Sequence, residues 1–171
     1  MKCFASVTLS WLVMVLFLSG TEAQNKCPND WLFYNNYCYK YFDKHLTWSD
    51  AEIYCRDQMM GAHLASIHDW AESFQLYKYL SNHAQVHLFI RDHVWIGLGD
   101  PQKRRIWRWS DGSSFNYTSW NQGEPNNLFY SEYCVELWAN SRYIKWNDKN
   151  CKSWQSFLCK YPLPQLEGST W

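Results

Sequence analysis

Six cysteines constrain this chain more than any other feature. A seventh, Cys3, lies in an N-terminal stretch that reads as a leader. In that stretch Lys2 gives a positive start, and 7–18 is mostly apolar. Small residues at Thr21 and Ala23 then suit a cleavage site after Ala23. The apolar run is shorter than the roughly 20 residues a membrane span needs, so residues 1–23 are expected to be a secretory signal peptide. No later segment is apolar enough to span. Cys27, Cys38, Cys55, Cys134, Cys151 and Cys159 remain. An even set in a chain bound for an oxidising compartment implies three disulfides, with fifteen pairings open to the sequence alone. Zinc is disfavoured because no C-x-x-C or Cys/His cluster occurs. No cysteine is left over, so any oligomer is expected to be non-covalent.

Composition narrows the function classes. The 16 Lys+Arg balance the 16 Asp+Glu, which argues against a nucleic-acid binder with a basic stripe and against a charged disordered tail. Twelve Trp, twelve Tyr and nine Phe can fill a core that has few aliphatics, or line a binding surface.

Aromatics alternate with polar residues over 31–42 around Asn35-Asn36, as in a hairpin. A helix is expected from near Thr47, with Ser49-x-x-Glu52 as a capping box and Trp48, Ala51, Ile53, Tyr54 and Cys55 on its apolar side. A second helix is expected over 69–81, with Trp70, Phe74, Tyr77 and Leu80 as its buried stripe. Short strands are expected at 94–98, 106–109, 133–138, 143–146 and 157–161. Between them, 111–131 is a long loop rich in Gly, Asn, Ser and Pro, and such loops are usually functional. The tail 162–171 reads as disordered. The class is α+β.

Five oxygen-bearing side chains are clustered along the second half: Glu124 and Asn126 around Pro125, Glu132 before Cys134, and Asn147-Asp148 after Trp146. Three carboxylates and two amides are hard donors, suited to calcium rather than to zinc or copper. Brought to one spot they repel, so without a cation this region is expected to be partly disordered. Asn116-Tyr117-Thr118 is an N-glycosylation sequon on the long loop. Lys103-Arg104-Arg105 reads as a solvated basic run. The six histidines are scattered, and His83 and His87 read as surface residues. Trp95, Trp107, Trp109 and Trp146 are expected in the core, and Trp120, Phe129 and Tyr130 beside the oxygen cluster.

The chain resembles the C-type lectin-like domains over 27–161. The resemblance rests on Cys27-Pro28-x-x-Trp31, Cys38-Tyr39, Trp48-x-x-Ala51-x-x-x-Cys55, Ala62-His63-Leu64-Ala65-Ser66-Ile67, Trp95-Ile96-Gly97-Leu98, Glu124-Pro125-Asn126, Cys134-Val135, Trp146-Asn147-Asp148 and Phe157-x-Cys159. It is similar to small secreted single-domain members, such as regenerating-islet-derived, eggshell and snake-venom lectins. The resemblance implies one domain over 24–161, with two helices packed on antiparallel sheets. It implies the disulfides Cys27–Cys38, Cys55–Cys159 and Cys134–Cys151. It also assigns Glu124, Asn126, Glu132, Asn147 and Asp148 to the principal calcium site, where calcium and protein together hold two vicinal sugar hydroxyls.

Within that family Glu-Pro-Asn accompanies equatorial 3- and 4-hydroxyls, so mannose-type glycans are the expected partners. A second calcium position is expected to be weak or empty, because only Asp100 matches it while Arg104, Asn127 and Tyr133 stand in place of acids. Catalysis is not expected, since Glu124 and Glu132 would hold one cation and neither would be free to donate a proton. The competing expectation is a sugar-independent protein-interaction module of venom or eggshell type.

Overall fold

The computed structural model describes residues 26–84, 86, 87 and 90–164, of which 86, 87, 90 and 91 by backbone alone. The expected signal peptide and residues 165–171 lie outside the described residues, as do the side chain of His87 and Cys3. Cys27–Leu163 form one compact unit.

The chain opens with the hairpin β1 (Leu32–Tyr34) and β2 (Tyr37–Leu46), turning at Asn35 and Asn36 with φ of 46° and 62°. Asparagine tolerates this left-handed backbone better than most residues. Helix α1 (Trp48–Gln58) follows, then β3 (His63–Leu64) and helix α2 (Trp70–His83). Next come β4 (Val86–His87), β5 (Ile90–Arg91), β6 (Val94–Gly99) and β7 (Arg108–Trp109). The chain closes with β8 (Cys134–Leu137), β9 (Trp146–Lys149) and β10 (Gln155–Pro162).

The main sheet runs β1-β2-β10-β6-β8-β9, with β3 beside β10 and β7 beside β6. Its pairs are antiparallel except β10 with β6, where Ser156 faces Val94 and Phe157 faces Trp95 in parallel. That pair splices the C-terminal strand into the middle of the sheet. All six residues of β6 are buried, as expected of a strand covered on both faces. Gly97 is required there: a Cβ on it would lie 2.5 Å from the Leu64 carbonyl oxygen.

The three disulfides are Cys27–Cys38, Cys55–Cys159 and Cys134–Cys151. Cys55–Cys159 spans 104 residues and joins α1 to β10. A loop of about 100 residues gains roughly 4.7 kcal/mol in the chain-entropy account.

Both helices start where the sequence expects them, with N-caps Thr47 and Asp69, but the capping box of the first and the buried face of the second differ. The N-cap of α1 is Thr47, whose hydroxyl accepts from Asp50 N at 3.3 Å. Glu52 does not close a capping box. It is drawn across to β3, accepting from Leu64 N at 2.9 Å and contacting His63 Nδ1 at 2.6 Å. Ile53 is 55 % exposed, so the buried side of α1 is Ala51 and Cys55, with Trp48 and Tyr54 packed alongside.

Helix α2 buries Glu72, Ser73, Leu76, Tyr79 and Leu80. Of the expected stripe only Leu80 is inside; Trp70 is 55 % exposed. Trp70, Phe74 and Tyr77 instead stack along the flank, at 6.0 and 5.6 Å between ring centroids. The reason is electrostatic. Glu72 is held inside by Lys160 of β10 at 2.8 Å, and this pair fixes the rotation of the helix.

The strands keep their expected places with shifted ends. Strand β7 is only Arg108–Trp109, and β9 starts at Trp146, because 143–145 belongs to a turn. Strand β10 runs to Pro162, and Leu163 is buried with its N–H on the Asn36 carbonyl at 2.8 Å. The folded unit therefore extends past the expected edge at 161. Trp95, Trp109 and Trp146 are buried as expected, while Trp107 is half-buried.

Candidate functional site

The long loop is pinned to the edge strand β9. Trp146 N donates to Ser119 O at 2.9 Å, and Asn121 N donates to Trp146 O at 2.9 Å. Trp120 packs edge-to-face against Trp146 and at a tilt against Trp107, with centroids 5.7 and 5.3 Å away, so it is a packing residue of the loop. Past it, Glu124 N donates to Asn121 O at 3.0 Å, and the Glu124-Pro125 peptide is cis.

Glu124 and Asn126 lie on the same turn and bond each other. Asn126 Nδ2 donates to Glu124 Oε1 at 2.9 Å, which leaves Asn126 Oδ1 out of that contact. Asp148, on β9, reaches under the turn: Oδ1 accepts Asn126 N at 3.0 Å and Oδ2 accepts Asn127 N at 2.9 Å. Glu132 is tied in by Asn127, whose Oδ1 accepts Glu132 N at 3.0 Å, while Glu132 Oε2 accepts Leu128 N at 2.9 Å. Asn147 is one residue away on β9. Its Nδ2 donates to Glu136 Oε1 at 2.9 Å, and Gln155 Nε2 holds the other Glu136 oxygen at 2.6 Å. This bond orients the amide so that the Asn147 oxygen is not spent on Glu136.

Four of the five residues expected to act together are thus linked through the 124–132 loop and Asp148. Asn147 joins them as the β9 neighbour of Asp148. Disulfide Cys134–Cys151 ties the strand after Glu132 to the chain after Asp148.

The carboxylates feel one another. Partial burial and then the adjacent Asp148 push Glu124 up to about 7. Burial raises Glu132 as well, opposed by the Leu128 N–H, with Asp148 adding to the rise. A group whose folded pKa is raised costs stability as it ionises. For Glu124 that cost is absent below its ordinary value and complete above about 7. In chelator, Glu124→Gln should therefore melt above wild type near pH 8, with the difference closing toward about pH 4.5. A difference independent of pH in calorimetry would show that Glu124 is not under this pressure.

The sequence did not disclose the cation that meets this charge. Lys103-Arg104-Arg105 is not uniformly solvated: Arg105 Nη1 donates to Asp148 Oδ2 at 3.1 Å, and Nη2 to Pro125 O at 2.8 Å. These protein donors offset part of the expected repulsion, while burial and then Asp148 still raise Glu124. The residues compared with a second calcium position are engaged within the protein. Asp100 Oδ2 accepts Arg105 N at 2.6 Å, Asn127 serves Glu132, and the Tyr133 hydroxyl donates to Tyr130 O at 3.0 Å. Arg104 is exposed. Phe129 and Tyr130 form the outer rim at 85 % and 88 % exposure. His83 is exposed and its Nδ1 meets Tyr79 O at 2.7 Å, while Asn116 is exposed on the loop.

The donor set fits a hard divalent cation. Glu124, Glu132 and Asp148 supply charge, Asn126 and Asn147 supply amide oxygens, and no thiol or imidazole lies among them.

Comparison with known proteins agrees with this architecture. The family model described as "Lectin C-type domain" matches residues 44–161. A C-type lectin of Micrurus corallinus is 51 % identical over 157 residues, covering 92 % of this chain and 96 % of that protein. A relative named "C-type lectin mannose-binding isoform", from Oxyuranus scutellatus, is 52 % identical over 158 residues, covering 92 % and 96 %. Among solved structures, human lithostathine superposes with a TM-score of 0.75 at 34 % identity, covering 84 % of this chain and 96 % of that one. None of the three is named as an enzyme. With the fold, the disulfides and the family model in agreement, the chain belongs to the C-type lectin domain family.

Proposed function

We propose that the protein is a secreted, calcium-dependent lectin of mannose type. The observation that carries this reading is the convergence of Glu124, Asn126, Glu132 and Asp148 on one hydrogen-bonded turn beside Asn147, with both amide oxygens left uncommitted to the bonds that orient them. Glu124, Asn126, Glu132, Asn147 and Asp148 would hold calcium. When bound, it supplies coordination positions that vicinal sugar hydroxyls can fill. The chain's own part is to present acceptor and donor in pairs. Each hydroxyl gives its proton to a carboxylate and accepts from an amide N–H, Glu124 with Asn126 on one side and Glu132 with Asn147 on the other. Glycans with equatorial 3- and 4-hydroxyls match that order.

Secretion is supported by the leader-like N-terminus, cleaved after Ala23. No helix among the described residues is long and apolar enough to cross a membrane. The domain is taken to start near residue 24 and to end at Leu163, the last buried residue of the compact unit, rather than at 161, and Asn116 is its proposed glycan acceptor. One such site has little contact area, so useful avidity would come from several sites in a non-covalent homo-oligomer.

The test is retention of the mature protein on a mannan column in millimolar calcium. The expected result is elution by chelator and by free mannose, but not by galactose. A folded protein that passes straight through would overturn the lectin reading. It would favour a sugar-independent protein-interaction module, to which the exposed Leu128-Phe129-Tyr130 rim would be the natural contact.

A further inference from the structure

Arg105 is the one guanidinium among the described residues that reaches the oxygen cluster, and three features show that it is held there. First, its backbone is left-handed, with φ of 61°. A residue with a side chain keeps that conformation only where its surroundings impose it. Here Asp100, itself 1 % exposed, accepts Arg105 N at 2.6 Å. Second, the guanidinium lies 5.4 Å from the Trp107 ring centroid, which limits its swing. Third, its two terminal nitrogens take separate acceptors on separate segments: Asp148 Oδ2 on β9 and Pro125 O on the turn.

Asp148 is 0 % exposed, and its ion pair among the described residues is with Arg105. A buried carboxylate without a counter-charge is strongly unfavourable. We propose that Arg105 is the resident cation of this site. It cross-links the Glu124-Pro125-Asn126 turn to Asp148, so that the loop keeps its binding shape whether or not a metal ion is bound. With all three ionised, as when a cation is bound, Glu124, Glu132 and Asp148 carry a charge of −3. Arg105 brings that to −2, the charge that one divalent cation neutralises. The identity of that cation rests on the function proposed above; the cross-link does not. Lysine could supply the charge but not the fork, because one ammonium does not span both acceptors in a fixed geometry.

The experiment compares wild type with Arg105→Gln and Arg105→Lys, and with Arg104→Gln as a control on the neighbouring exposed arginine. Limited proteolysis of 121–131 and thermal melting are each followed in chelator and in saturating calcium. In chelator, Arg105→Gln should be cut in the loop about tenfold faster than wild type, because local opening is no longer opposed by the cross-link. In calcium the two should agree within about twofold, since calcium then opposes the same opening. The melting gap between calcium and chelator should widen in Arg105→Gln. Arg105→Lys should fall between the two, and Arg104→Gln should match wild type.

Equal cleavage of wild type and Arg105→Gln in chelator would overturn the proposal, as would an Arg105→Lys protein that behaves as wild type. If Arg105→Gln does not fold, the Arg105→Lys comparison decides. A wild type whose melting ignores calcium would sink the calcium reading alone, while the chelator arm would still judge Arg105.

Discussion

Replacing Lys160 by methionine is expected to lower the free energy of unfolding by about 3–5 kcal/mol, the usual cost of stranding one partner of a buried ion pair. Lys160 is 4 % exposed. Its Nζ bonds Glu72 Oε1 at 2.8 Å, Ser66 O at 3.0 Å and Ser66 Oγ at 3.3 Å, and lies 4.1 Å from the Tyr37 ring centroid. Glu72 also takes the Tyr39 hydroxyl on Oε1 and His68 N on Oε2 at 2.7 Å. Burial and then the Glu72 carboxylate hold the Tyr39 phenol far above its ordinary value, so Tyr39 stays a donor.

Methionine keeps most of the lysine's apolar stem and removes its charge together with the donors to Glu72 and Ser66. Glu72 would then lie inside with neutral donors alone. The fall should appear as a lower urea midpoint at unchanged slope. Adding Glu72→Gln to Lys160→Met should recover part of the loss, because no charge is left stranded, and the cycle measures that coupling. A Lys160→Met protein within about 1 kcal/mol of wild type would show that the pair does not organise α2 on the sheet. The network is separate from the 124–132 loop, so a folded variant should keep whatever sugar binding the wild type shows.

The same pair shows where the sequence stops being readable. Periodicity located α2 to within a couple of residues but chose the wrong face, Trp70-Phe74-Tyr77. The partner that makes Glu72 an inward residue is 88 positions away on β10. A hydrophobic count treats a glutamate as outward, and only the tertiary pairing reverses that. The capping of α1 was misplaced for a similar reason: Glu52 is claimed by the β3 backbone instead of by its own helix.

Cysteines and the oxygen set were legible because their chemistry is unusual and their spacing local. Glu124 and Asn126 share one turn, Asn147 and Asp148 are adjacent, and Glu132 stands two residues before Cys134. The disulfide pairing itself needed the family resemblance; spacing left fifteen choices. Arg105 was hidden inside a basic run whose three members look alike in sequence. What distinguishes it is the Asp100 carboxylate turning its backbone, a contact that no composition or period reports. The expectation of a loosened loop counted the repulsion of three carboxylates without the cation that offsets part of it.

Exchanging the acid and the amide of the turn, with Glu124→Gln and Asn126→Asp together, should reverse sugar preference from mannose toward galactose. Glu124 and Asn126 bond each other through Asn126 Nδ2 and Glu124 Oε1 at 2.9 Å. The exchange moves the N–H donor to position 124 and the carboxylate to 126, so the same contact can form with its direction reversed and the charge of the site is unchanged. Fold and cation affinity should then survive, which separates recognition from stability. A hydroxyl pair that met acceptor then donor would now meet donor then acceptor. Each mismatched buried hydrogen bond costs about 1–3 kcal/mol. Mannose inhibition of glycan binding should therefore weaken by roughly 10- to 100-fold while galactose gains, since each 1.4 kcal/mol is about tenfold. Either single substitution leaves two like groups face to face and should weaken both sugars. A double variant that still melts higher in calcium, yet keeps its mannose preference, would place the selectivity in Glu132 and Asn147 or in the exposed Phe129-Tyr130 rim rather than in the turn.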